Sequence, residues 1–181
     1  TISVTGAVGS GTALGTLTIS QSAGTTFSST VNAATIALTD SKVSTAVTFS
    51  GNVTATTALT VAAGTAAYNV IFNGSSNTIA GATTFNNTGT VTLGNGGDTT
   101  AFTGGVVATA PSSINLNGTV TAAGTGVITL GDANTGISVG GNSTVGGTST
   151  GQITLGAATL ADGVTLTVGA GAATPITLST I

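Results

Sequence analysis

Large apolar residues alternate with threonine or serine along almost the whole chain. Ile2-Ser3-Val4, Leu17-Thr18-Ile19, Ile36-Ala37-Leu38, Val47-Thr48-Phe49 and Leu59-Thr60-Val61 carry this pattern in the first third. Val91-Thr92-Leu93, Ile114-Asn115-Leu116, Ile128-Thr129-Leu130, Ile137-Ser138-Val139, Ile153-Thr154-Leu155 and Ile176-Thr177-Leu178 continue it, and Val164-Thr165-Leu166-Thr167-Val168 is the longest such run. A period of two sends one row of side chains inward and the other into water, so each run predicts a short strand. The branched Cβ atoms of Val, Ile and Thr favour the same extended backbone. No segment shows a capped apolar stripe of helical period, and essentially no α-helix is expected.

Gly, Asn, Ser and Asp fill the gaps, as in Asn73-Gly74, Gly94-Asn95-Gly96-Gly97, Asn117-Gly118, Gly131-Asp132 and Asp162-Gly163. Tight corners need residues that accept positive φ or bond their own backbone. Strand starts recur every 8 to 12 residues or so, a rhythm shared by sandwiches, barrels and solenoids. Internal similarity favours a parallel β-solenoid, with a β-sandwich as the alternative. Asn117-Gly118-Thr119-Val120 and Gly126-Val127-Ile128-Thr129-Leu130-Gly131 return as Asn142-Ser143-Thr144-Val145 and Gly151-Gln152-Ile153-Thr154-Leu155-Gly156, an offset of 142 − 117 = 25. Gly89-Thr90-Val91-Thr92-Leu93-Gly94 is a third copy of the strand, 130 − 93 = 37 residues earlier. Coils of ~20 to 25 residues give about seven to nine coils and a rod on the order of 35 to 45 Å long. Leu17, Ile19, Val91, Leu93, Ile128, Leu130, Ile153 and Leu155 are expected inside one core, with the intervening threonines outside.

Composition narrows the function. Charged residues are 3% of the 181, against roughly 25% in ordinary domains. The inventory is Lys42, Asp40, Asp98, Asp132 and Asp162, with no Arg, Glu, His, Cys, Met or Trp. One lysine and a net charge of −3 cannot supply a nucleic-acid footprint. Hydrophobic residues at 40% and a mean hydropathy of +0.55 argue for a packed chain over a disordered one. Polar residues interrupt every apolar run well short of roughly 18 residues, so no helical membrane span is expected. The strands are also shorter than the ~9 to 11 residues of a membrane barrel. The chain opens at Thr1 without a basic and apolar leader, as a mature product or excised fragment would.

Gly6-Ala7-Val8-Gly9-Ser10-Gly11-Thr12-Ala13-Leu14-Gly15-Thr16-Leu17-Thr18-Ile19 and Gly51-Asn52-Val53-Thr54 resemble the β-strand-repeat regions of large bacterial surface proteins. These are proteins of the filamentous-haemagglutinin and autotransporter-passenger type. The resemblance is one of composition and rhythm, and it covers nearly the whole chain. It implies a right-handed β-helix on the cell surface or in an extracellular fibre. The secretion module and membrane barrel of that family do not accompany it. Residues 1–181 therefore read as a single repeat domain, a fragment or repeating subunit of a longer extracellular assembly.

Candidate chemistry is sparse. A solenoid can bring Asp132 and Asp162 near one another, but each sits beside glycine as a turn former does. The many hydroxyls lack an activating base. Gly94-Asn95-Gly96-Gly97-Asp98 and Gly131-Asp132-Ala133-Asn134 each offer one carboxylate, where a calcium site needs about six oxygen ligands. Thr-x-Thr pairs at Thr16/Thr18, Thr90/Thr92, Thr119/Thr121 and Thr165/Thr167 are candidates for an ice-binding array, although their spacing is uneven. Phe27, Phe49, Phe72, Phe85, Phe102 and Tyr68 are candidates for a carbohydrate platform, with core packing the stronger reading. Sequons such as Asn52-Val53-Thr54 and Asn142-Ser143-Thr144 are expected by chance in so Asn- and Thr-rich a chain.

The expectation is a non-enzymatic structural component of a filament, sheath or adhesin stalk, without catalytic, cofactor or metal sites. Its partners would be copies of itself or adjoining repeats at the two ends. Recognition of glycans, or less so of ice, is the alternative.

Overall fold

The computed structural model describes residues 1–172 and 174–181, and they form a parallel β-solenoid of about eight turns. No helix occurs among them, and every strand pairing is parallel, which removes the sandwich. Three strand positions recur in each coil and define three faces.

The first face stacks β1 (Ile2–Val4), β3 (Thr25–Phe27), β5 (Ala46–Phe49) and β7 (Asn69–Phe72). The leading halves of β10 (Thr90–Phe102) and β12 (Ser113–Ala122) follow, then β14 (Gly136–Val139) and β17 (Ala158–Leu160). The second face holds the leading parts of β2 (Leu14–Ile19), β4 (Val31–Leu38) and β6 (Val53–Val61), then β8 (Ser76–Ile79), the trailing halves of β10 and β12, β15 (Ser143–Gly147) and β18 (Leu166–Ala170). The third face takes the trailing parts of β2, β4 and β6. It continues through β9 (Thr83–Thr84), β11 (Val106–Ala108), β13 (Ile128–Leu130), β16 (Ile153–Leu155) and β19 (Ile176–Leu178).

Stacked partners differ by one coil. On the first face the steps run from 21 (91 − 70) to 23 residues (25 − 2). On the third they range from 19 (36 − 17) to 25 (153 − 128), because the corner loops there differ in length. At roughly 4.8 Å per coil, about eight turns make a rod about 38 Å long.

The repeat at offset 25 is a single coil step, with Thr119 on Thr144 and Ile128 on Ile153. The offset of 37 has a different origin. Val91 lies on the first face and Ile128 on the third, so the two near-identical hexapeptides never stack. One sequence serves both faces because each demands only an inward-outward-inward apolar pattern. The longest strand is also not the one around Val164. It is Thr90–Phe102, which turns a corner through a bulge at Gly94–Gly97, where Gly94, Gly96 and Gly97 take positive φ.

The inward register follows the alternation. Ile19, Val91, Leu93, Ile128, Leu130, Ile153 and Leu155 are buried, while Thr92, Thr129 and Thr154 between them are only partly covered. Leu17 is half-buried because its coil has a neighbour on one side only. Like residues stack in columns. One runs Ile36, Leu59 on the third face, and another runs Phe27, Phe49, Phe72, Leu93, Leu116, Val139 on the first. Phe27 and Phe49 stack at 5.1 Å between ring centroids, and Phe49 and Phe72 at 5.0 Å. Phe72 then meets Phe85 of the third corner edge-on at 6.4 Å, and Phe85 meets Phe102 of the second face at 6.0 Å. The three faces thus share one dry aromatic centre, and the core reading of the phenylalanines holds.

Buried polar residues enter all three faces: Thr25 on the first, Thr83 on the third, and Asn77 with Thr100 on the second. On the second face Val31 stacks on Val53, Thr100 on Val120 and Val120 on Val145, yet buried Asn77 and Thr100 stand between the valines. Asn77 Oδ1 accepts from the Val53 amide at 3.0 Å. Its Nδ2 donates to the Gly74 carbonyl at 2.9 Å and to Thr100 Oγ1 at 3.1 Å. A buried amide is tolerated here because its groups find partners.

Candidate functional site

The densest polar cluster lies at the corner between the third and first faces, in the loops around Asp40 and Thr65. Asp40 is buried. Its Oδ1 accepts from the Ser41 amide at 2.8 Å and its Oδ2 from the Thr65 hydroxyl at 2.6 Å. The Thr65 hydroxyl above all, with further backbone N–H groups, holds the Asp40 carboxyl below its usual range, against the opposing pull of desolvation. Tyr68, also buried, donates from its hydroxyl to the Ala62 carbonyl at 2.7 Å and so closes the loop. Burial, and then the Asp40 charge, push the Tyr68 phenol up to about 12.

Beside this pair runs a chain of hydroxyls. Ser41 Oγ lies 3.0 Å from Ser22 Oγ and 2.8 Å from Thr45 Oγ1. A groove of about 470 Å³ opens over it, lined in part by Gln21, Asp40, Lys42, Val43 and Thr65. The Asp40 carboxylate faces the backbone of Ser41 and not its hydroxyl, and an acid held in its ionised form is a weak base. The cluster ties one coil to the next, since Thr65 lies 65 − 40 = 25 residues beyond Asp40. Nothing local in the sequence around Asp40 announces it. The only signal is a separation of one coil.

The other aspartates are turn formers. Asp132 Oδ1 accepts from the amides of Asn134 at 2.7 Å and Thr135 at 2.9 Å, and Asp98 Oδ2 from Asn95 at 2.7 Å. Asp162 precedes Gly163, whose φ of 73° needs a residue without Cβ strain. Asp132 follows a third-face strand and Asp162 a first-face strand, so they occupy different corners and do not pair. Among the described residues, no three acidic, His or Cys side chains gather at one point.

The remaining candidates are distributed along the rod. No Thr-x-Thr row of the four stacks on another: Thr119/Thr121 lies between Thr99/Ala101 and Thr144/Gly146. Thr16/Thr18 faces Thr35/Ala37, and Thr90/Thr92 faces Ser113/Asn115. Single columns do form, as in Thr129, Thr154 and Thr177 on the third face, and these floor a trough of about 400 Å³ beside Asp132 and Ala133. The sequon asparagines brace the next coil. Asn52 Oδ1 accepts from the Ser76 amide at 3.1 Å, and Asn142 Oδ1 from the Thr165 amide at 2.9 Å.

Both ends of the stack are open. Ile2 (44% exposed), Leu14, Ile176 and Leu178 (44%) present apolar side chains and strand edges that interior coils cover. No helix among the described residues is long and apolar enough to cross a membrane. Comparison with family models, with curated proteins and with solved structures finds no match to the chain.

Proposed function

We propose that this chain is a mechanical element, a segment of an extracellular or bacterial cell-surface filament, sheath or adhesin stalk, and not an enzyme. The observation that carries the reading is a continuous parallel stack around an apolar core, with apolar strand edges exposed at both end coils. Continuing each column past the last coil sets Ile176 against Leu17, and Leu178 against Ile19, of a following unit. Open strand edges of this kind are templates for another strand. Head-to-tail contacts of a repeated unit build open filaments. The partners are therefore copies of the chain or adjoining repeats, joined by backbone hydrogen bonds and apolar contact. Sedimentation in low and high salt tests this: the association persists in high salt, since no ion pairs hold it. A monomer at all concentrations and both salt levels refutes it.

The trough over Thr129, Thr154 and Thr177 favours a second reading, recognition of a neutral glycan along the third face. Binding to members of a glycan array that is lost on Thr154→Val supports it. An array without a hit removes it.

A further inference from the structure

Three Asn-Gly bonds occur in the chain, at Asn73-Gly74, Asn95-Gly96 and Asn117-Gly118. This dipeptide is chemically labile. The glycine nitrogen attacks the asparagine Cγ and expels ammonia, closing a five-membered succinimide. Solvent water then opens the ring to aspartate or to isoaspartate, whose backbone runs through the former side chain. The attack needs a glycine nitrogen free to swing toward Cγ, and backbone held in a ladder cannot do so.

The fold treats the three bonds differently. The Gly118 amide donates to Ser143 Oγ at 3.1 Å, and a methyl at Gly118 would lie 2.5 Å from the Asp98 carbonyl. Gly74 is buried, and a methyl there would meet the Gly51 carbonyl at 2.5 Å and Asn77 Oδ1 at 2.7 Å. Both glycines are wedged between coils. Around Asn95 the ladder is interrupted: Leu93 pairs with Leu116 and Asp98 with Gly118, so residues 94–97 bulge opposite the single Asn117. Asn95, Gly96 and Gly97 are exposed, and nothing lies within 4 Å of a methyl built on either glycine. Gly96 at φ 138° and Gly97 at φ 73° already use the freedom that only glycine has.

We infer that Asn95-Gly96 is a spontaneous modification site, the one labile joint of an otherwise inert rod, and that it deamidates ahead of the other two. The product places a carboxylate beside Asp98, which at present accepts the Asn95 amide at 2.7 Å, and takes the net charge of −3 one unit lower. The test is to hold the folded chain in warm, mildly alkaline buffer and follow each asparagine by fragmentation mass spectrometry of the intact chain. A parallel sample in concentrated urea gives the unprotected rates. The expected result is conversion at Asn95 at least about tenfold faster than at Asn73 or Asn117 in the folded chain, with the three rates converging in urea. Asn95→Gln abolishes the fast phase. Equal rates at the three sites in the folded chain, a faster Asn73 or Asn117, or Asn95 protected relative to urea as strongly as they are, overturns the inference.

Discussion

Truncating Phe49 to alanine tests whether the aromatic column binds the coils together. Phe49 is fully buried, with Phe27 at 5.1 Å on one side and Phe72 at 5.0 Å on the other. Removing a buried phenylalanine costs ~3 to 5 kcal/mol. Two stacked neighbours, each pair worth ~0.5 to 1.5 kcal/mol beyond its buried area, place Phe49 near the top of that range. Phe27 has one stacked partner and lies a coil from the open end, so Phe27→Ala belongs near about 3 kcal/mol. With a urea slope of about 2 kcal/mol/M, the midpoint falls by about 2.5 M for Phe49→Ala and by about 1.5 M for Phe27→Ala. Coils in a solenoid touch only their neighbours. Hydrogen exchange should therefore accelerate first in β3, β5 and β7, while β13 and β16 keep their protection. Urea melts followed by circular dichroism give the midpoints. A loss larger at Phe27 than at Phe49, or a Phe49→Ala shift under about 0.5 M, would show that the stacked rings do not bind the coils together.

Asn77→Ala should cost about 2 to 3 kcal/mol in the same melts, because it strips partners from the Val53 amide, the Gly74 carbonyl and Thr100; no change would mean that water replaces the amide. The chain has one tyrosine and no tryptophan, so its phenolate absorbance is unambiguous. Tyr68, raised from 10.0 to about 12, adds stability that is fully present below pH 10 and lost as pH rises toward 12, and ionisation near 10 in the folded chain would contradict its environment. The depressed Asp40 works in the opposite window, its contribution present above pH 3.8 and lost on further acidification, and Asp40→Asn should flatten that acid limb. Trypsin should cut once, after exposed Lys42, and leave both pieces stacked through β3 on β5 and β4 on β6; pieces that separate without denaturant would show that the ladder does not hold them.

Much of this fold was legible because its rules are local. Alternation located the strands, glycine and asparagine located the corners, and the offset from Thr119 to Thr144 gave one coil step. Faces were not legible. Gly89–Gly94 and Gly126–Gly131 are nearly the same hexapeptide on different sides of the triangle, because inward apolar residues fit any face. Cross-coil polar contacts were hidden for another reason. Asn77 looks like a surface residue until Val53, 77 − 53 = 24 positions earlier, is found beneath it. Asp40 likewise meets Thr65 only after a full turn. The reading of Asp132 as a turn former was legible because its carboxylate takes the amides two and three residues further along.

If rods of this chain stack end to end, as proposed, electron microscopy of negatively stained, concentrated chain will show it. Ile176→Lys with Leu178→Lys supplies the matched control, since both residues are exposed on the last coil and charge there opposes strand addition. The unaltered chain should form unbranched filaments many times longer than the single rod of about 38 Å, and the double variant isolated particles. Isolated particles of the unaltered chain at every concentration, or filaments undiminished by the two lysines, would contradict end-to-end stacking.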